Sequence, residues 1–172
     1  MPTCPDRMAL IPGMEACIDR YEVRERNGTT VPARGELPTD ALSWQDADRL
    51  CRASGFRLCT RREWQRACGG RDARTFPYGT EHEPGRCNDA TFEEGVSQSS
   101  LEPGGARTGC VTPEGVYDLT GNLGEWLSDT DASGDLRETI GGSFGTPESY
   151  ARCTYQPSHQ PTVEAWSGQG VR

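Results

Sequence analysis

The chain has 172 residues, a formal net charge of −8 and a mean hydropathy of −0.73, a length that suits one domain able to bury a core of its own. All eighteen basic residues are arginine and lie scattered among 26 acidic ones, so no basic stripe faces phosphates, and nucleic acid and anionic membrane are not expected partners. Without lysine, P-loop, Schiff-base and Ser–Lys chemistries are excluded, and no apolar run approaches the ~20 residues that cross a bilayer.

In chain order, Cys4 to Val23 reads as two short strands around a Pro12-Gly13 turn, the second being Ile18 to Val23. Asn27 to Asp40 reads as a loop. Ser43 then opens a helix as N-cap, with Asp46 three residues on; Trp44, Ala47, Leu50 and Cys51 form its apolar stripe, and Gly55 suits the position after it. Thr60-Arg61-Arg62-Glu63 is a capping box for a second helix, whose buried face is Trp64, Ala67 and Cys68 and whose end is Gly69-Gly70. Beyond Gly70 the chain is rich in Gly, Pro and polar residues. Short strands are predicted at Gly115 to Leu119, Glu125 to Ser128, Thr139 to Phe144 and the C-terminal end. The pattern is α+β over residues 1–172 as one domain, with two helices early and an irregular second half.

Most chemical motifs fall away. His82 and His159 lie far apart in polar loops, and two histidines cannot build a three-His metal site. No G-x-S-x-G elbow is present. The acidic loop Asp129 to Asp135 imitates an EF-hand but has Ile140 where a bidentate Glu is required, so it reads as a solvated loop. Arginine in place of lysine suits a GC-rich genome. The eight cysteines form no C-x-x-C pair; their even number and wide spacing suit a disulfide framework in an exported domain, with eight buried thiols in a cytosolic one as the other reading.

One segment stands apart. In Gly115-Val116-Tyr117-Asp118-Leu119-Thr120-Gly121-Asn122-Leu123-Gly124-Glu125-Trp126, two carboxylates bracket a glycine-containing turn. Asp118, Glu125 and inward-turned carbonyls form the hard oxygen set that calcium prefers. A plain hairpin with two exposed acids is the simpler reading of the spacing alone.

The string Tyr117 to Trp126 closely resembles the Y-D-M-x-G-N-V-x-E-W signature of the formylglycine-generating enzyme family, also called sulfatase-modifying factors, whose fold is a variant of the C-type lectin fold. Further landmarks follow in the right order: Ile18 to Val23, Leu42 to Ala47 (V-S-W-x-D-A), Arg57 to Trp64 (R-L-P-T-E-A-E-W), Phe76 to Gly79, Gly141 to Phe144 (R-G-G-S-W/F) and Gly170 to Arg172. The resemblance covers nearly the whole chain and implies a C-type-lectin-like α+β fold. The family's oxygen-dependent enzymes hold Cu(I) on two cysteines soon after their G-G-S-F segment; the matching positions here are Thr146 and Ala151, and Cys153 is the one cysteine nearby. One thiolate holds a soft ion poorly.

The resemblance therefore implies a recognition module that binds a protein or peptide, with the copper-dependent conversion of a cysteine to formylglycine as the alternative. It also implies structural calcium on Asp118, the carbonyls of Gly121 and Leu123, and Glu125, and a disulfide between Cys68 and Cys153. Cys4 and Cys17 flank the predicted hairpin and are a second candidate pair. A partner surface is expected in the polar, aromatic-bearing end of the chain, at Tyr150, Tyr155 and Trp166, with His159 and Glu164 at its rim.

Overall fold

The computed structural model describes residues 3–90, 92–93, 96–97 and 99–172. Strands β1 (Met8–Leu10) and β2 (Cys17–Asp19) pair antiparallel, then β3 (Val23–Arg26) pairs with β4 (Thr29–Pro32). Helices α1 (Trp44–Ala53) and α2 (Arg61–Gly69) follow. Strands β5 (Phe92–Glu93) and β6 (Val96–Ser97) form a small hairpin. The main sheet comes last: β7 (Gly124–Thr130), β8 (Leu136–Ile140), β9 (Ser158–Pro161) and β10 (Gln169–Gly170), in the order β10-β7-β8-β9, with β10 parallel to β7 and the other pairs antiparallel.

Both helices start where local chemistry directs. The Ser43 hydroxyl accepts from the Asp46 N–H, and Thr60 and Glu63 complete a reciprocal capping box, each cap being worth ~1 kcal/mol. The Glu63 carboxylate also receives the Arg57 guanidinium at 2.7 Å. The helices pack against opposite faces of β7, because successive side chains of a strand alternate. Leu127 joins a core with Ile11, Ile18, Trp64 and Ile140 on the α2 side. Trp126 joins Val23, Ala47, Leu58 and Val171 on the α1 side. Two of the indoles find backbone acceptors: Trp126 Nε1–H donates to Leu42 O at 2.8 Å and Trp44 Nε1–H to Leu127 O at 2.8 Å.

Several expectations need correction. Residues 27–40 are not all loop: Asn27 and Gly28, at φ 54° and 79°, make the tight turn of the β3–β4 hairpin, a signal carried by Asn-Gly itself. Ile18 to Val23 is broken at Arg20–Glu22 and shared between β2 and β3. Gly115 to Leu119 is not a strand and makes only the isolated bridge Val111–Tyr117. The strand expected at Thr139 to Phe144 instead ends at Ile140, because Gly141 and Gly142 take φ 98° and 69°. The second half therefore holds the principal sheet as well as the long loops.

Cysteines 4 and 17, 68 and 153, and 87 and 110 are disulfide-bonded, and Cys51 and Cys59 are free. The third pair was not assignable from spacing, since both partners lie in irregular chain. Burial pushes the Cys51 thiol up to about 12 and the Cys59 thiol well above its ordinary value.

Candidate functional site: a buried carboxylate turn and the cleft beside it

The segment between Tyr117 and β7 coils tightly, with Asp118, Gly121 and Asn122 all left-handed at φ 55°, 75° and 59°. Left-handed non-glycine residues are strained and persist only when the surroundings hold them. Asn122 is the holder. Its Oδ1 accepts from Asn88 Nδ2–H at 2.8 Å and from the Glu102 N–H at 3.0 Å. Its Nδ2–H donates to Glu22 Oε2 at 2.6 Å and to Glu102 O at 3.1 Å. Glu22, fully buried, also accepts the Leu123 N–H at 2.9 Å. Gly121 is obligatory, since a Cβ there would sit 2.5 Å from Asn88 O.

The two acids singled out in the sequence are both buried, which rules out a hairpin with exposed acids. Asp118 Oδ2 accepts the Gly105 N–H at 2.7 Å. Glu125 is engaged on both oxygens: Arg172 Nε–H donates to Oε1 at 2.7 Å and Trp64 Nε1–H to Oε2 at 2.6 Å. Arg172 reaches further, to Asp19 O at 3.0 Å and Tyr117 O at 2.7 Å. Asp19 is paired with Arg7. That leaves Glu22, Asp118 and Glu125 facing one buried guanidinium. Burial raises all three carboxyls, Asp118 to about 6 and Glu22 well above the ordinary range, and Arg172 pulls against the rise.

Uncompensated buried carboxylates and backbone carbonyls suit a hard divalent cation in charge and donor type. Asp118, buried and with one oxygen on the Gly105 N–H, has that donor type. Glu125 does not close a cage by itself, because it already serves Arg172 and Trp64 and an ion there would share it with a guanidinium. Among the described residues no three His, Cys, Asp or Glu side chains converge as a metal group. Sequence reasoning passed over Glu22, Asn122 and Arg172 as site residues, although each stands inside a motif that it had marked.

A cleft of about 170 Å³ adjoins the turn, lined by Gly141, Ser143, Thr146, Tyr150, Tyr155 and Ser158 among others. The Thr146 hydroxyl accepts the Ser143 N–H at 2.7 Å and donates to Ser143 O at 3.0 Å, so it is tied into its own turn. Ala151 is buried, and Cys153 is held by Cys68. The rings of Tyr150 and Tyr155 meet at 4.9 Å; Tyr150 is 41% and Trp166 51% exposed. Trp166 lies outside the core and beside the cleft residues Ser167 and Gly168. His159 and Glu164 are exposed, His159 standing 3.4 Å from the Glu138 carboxylate.

A capped helix pair, a sheet closed by a parallel final strand and a coiled Asn-bearing turn before β7 define a domain of formylglycine-generating type. The sulfatase-modifying factor enzyme 1-like domain matches residues 14–172, and the chain belongs to that family. The protein of Mus musculus named inactive C-alpha-formylglycine-generating enzyme 2 is 31% identical over 147 residues, covering 78% of this chain and 48% of that protein. The formylglycine-generating enzyme of Thermomonospora curvata is 31% identical over 157 residues, covering 76% and 52%. The chain thus spans about half the length of these relatives. The structure of PvdO from Pseudomonas aeruginosa superposes with a TM-score of 0.67 over 90% of this chain and 78% of that one, at 16% identity, and shares the fold.

Proposed function

We propose that this chain is a non-catalytic recognition module on a formylglycine-generating scaffold, folding as one domain over residues 1–172. The observation that carries the reading is chemical. The cleft holds no free thiol: Thr146 and Ala151 occupy the positions matched to the copper ligands, and Cys153 is oxidised onto Cys68. The free thiols, Cys51 and Cys59, do not line the cleft, and burial disfavours their thiolate forms. Membership in a family that includes a relative named inactive agrees with this.

The partner is a protein or peptide, seated on Tyr150, Tyr155 and Trp166, which supply large contact area at small entropic cost. Calcium, held by Asp118 and the carbonyls of Gly121 and Leu123 with Glu125 contributing charge, offsets the buried carboxylates and stiffens the turn beneath the cleft. Three disulfides suit an oxidising, extracytoplasmic setting. The deciding experiment incubates the protein with a cysteine-containing sulfatase-type peptide, copper, oxygen and a reductant, and reads aldehyde by aminooxy labelling. No aldehyde above the protein-free control is expected; catalytic turnover would establish the copper-dependent oxidoreductase instead.

A further inference from the structure

Eleven of the eighteen arginines stand within salt-bridge distance of an acid. Three that do not, Arg62, Arg66 and Arg71, line one groove of about 660 Å³ between α2 and the segment Cys153–Gln156. They have no acidic partner among the described residues. A fourth, Arg61, lines the same groove but is bound to the buried Glu138 carboxylate. The one acid in the lining, Asp129, accepts the backbone N–H of Arg61 at 2.7 Å and is committed to the start of the helix.

The cost of this placement to the helix falls on Arg62, since Arg66 in the last turn is favoured by the dipole. Arg62 and Arg66 are one turn apart on α2, where like charges repel. Arg62 also sits in the first turn, at the positive end of the helix dipole. In a chain with an excess of acids, three guanidiniums without acidic partners among the described residues gathered in one groove, one of them at the unfavourable end of the helix, point to an anionic ligand. The groove is also preorganised. The Cys68–Cys153 disulfide ties the end of α2 to the opposite wall, and Gln65 Nε2–H reaches Tyr155 O at 3.4 Å across it. Fixed walls reduce what binding must order.

We propose that this groove binds an acidic polypeptide segment, its carboxylates received by Arg62, Arg66 and Arg71. Guanidinium forks match carboxylates in a bidentate way. Thr154 and Gln156 on the facing wall add polar groups that suit a peptide backbone. Three cations in a short groove on a net-negative chain suit an acidic peptide better than a polyphosphate backbone, which requires an extended track. The groove takes Cys153, Thr154 and Gln156 from the segment that gives Tyr155 to the cleft, and its reading does not depend on that cleft.

The test is fluorescence anisotropy of rhodamine-labelled hexaglutamate with the intact chain. Saturable binding that weakens between about 50 and about 300 mM salt is expected. The double variant Arg62→Gln/Arg66→Gln should weaken it about tenfold or more, with an unchanged or raised Tm, and Arg71→Gln should weaken it in the same direction. Arg26→Gln, at an exposed arginine on β3 without an acid partner among the described residues, should leave it unchanged. Absence of saturable binding, or equal binding by the groove variants, overturns the proposal. So does inorganic phosphate that displaces the probe as well as unlabelled hexaglutamate at equal concentration, since that marks a single-anion site.

Discussion

Arg172 Nε and Glu125 Oε1 lie 2.7 Å apart, and both side chains are almost wholly buried. They join the β10 end of the main sheet to the start of β7, in the place where the sequence implied a metal-centred cage. A buried pair of this kind is costly to break, because the surviving partner keeps its desolvation penalty without its counter-charge.

Arg172→Met should therefore destabilise the fold by about 3–5 kcal/mol, whereas Glu125→Gln/Arg172→Met should recover much of that loss. Urea denaturation of the two single variants and the double gives the coupling energy directly. Additive losses would mean that the two groups do not act as a pair.

Calcium at the turn predicts a Tm that falls on chelation; saturation ~100-fold above the dissociation constant adds about 2.7 kcal/mol. Asp118→Asn separates ligation from simple packing. It keeps an oxygen for the Gly105 N–H and lowers the buried negative charge, so the metal-free protein should lose little stability while the calcium response disappears. An identical Tm with calcium and with chelator removes the ion from the account.

Glu63 sets a pH dependence of known sign. Arg57 and the Thr60 groups hold its carboxyl down at about 2. A group depressed in the folded state stabilises fully above its unfolded value near 4.5 and loses that stabilisation as pH falls towards about 2. Glu63→Gln retains the capping geometry but not the charge. Its urea midpoint should fall less steeply than that of the parent between those two pH values; parallel slopes would remove Glu63 from the acid limb.

Peptide mapping without reduction should recover Cys4–Cys17, Cys68–Cys153 and Cys87–Cys110, with two free thiols, of which the buried Cys51 reacts with Ellman's reagent only after unfolding. Replacing both Cys68 and Cys153 by Ala opens a loop of 85 residues of sequence separation. The expected cost is about 2–4 kcal/mol, most of it through the unfolded chain.

At the cleft, Tyr155→Ala should weaken an identified protein partner by more than about 1 kcal/mol with no change in Tm. Surface plasmon resonance on Tyr150, Tyr155 and Trp166 variants checks this; undiminished affinity in all three moves the contact surface elsewhere.

By itself the sequence determined what depends on neighbours along the chain. Ser43 and Thr60 with Glu63 start the helices through contacts within four residues, and the ordered motifs around Tyr117–Trp126 carried the family. The Asn27-Gly28 turn was legible by the same local rule and was passed over within a polar stretch. Tertiary structure alone decided the rest. Asn122 pins its turn through Glu22, a hundred positions earlier, and Glu125 is neutralised by Arg172, 47 positions later. The Cys87–Cys110 bond joins two irregular segments. Charge pairing and burial are properties of distance in space, and a motif names a carboxylate without saying which cation will be folded against it.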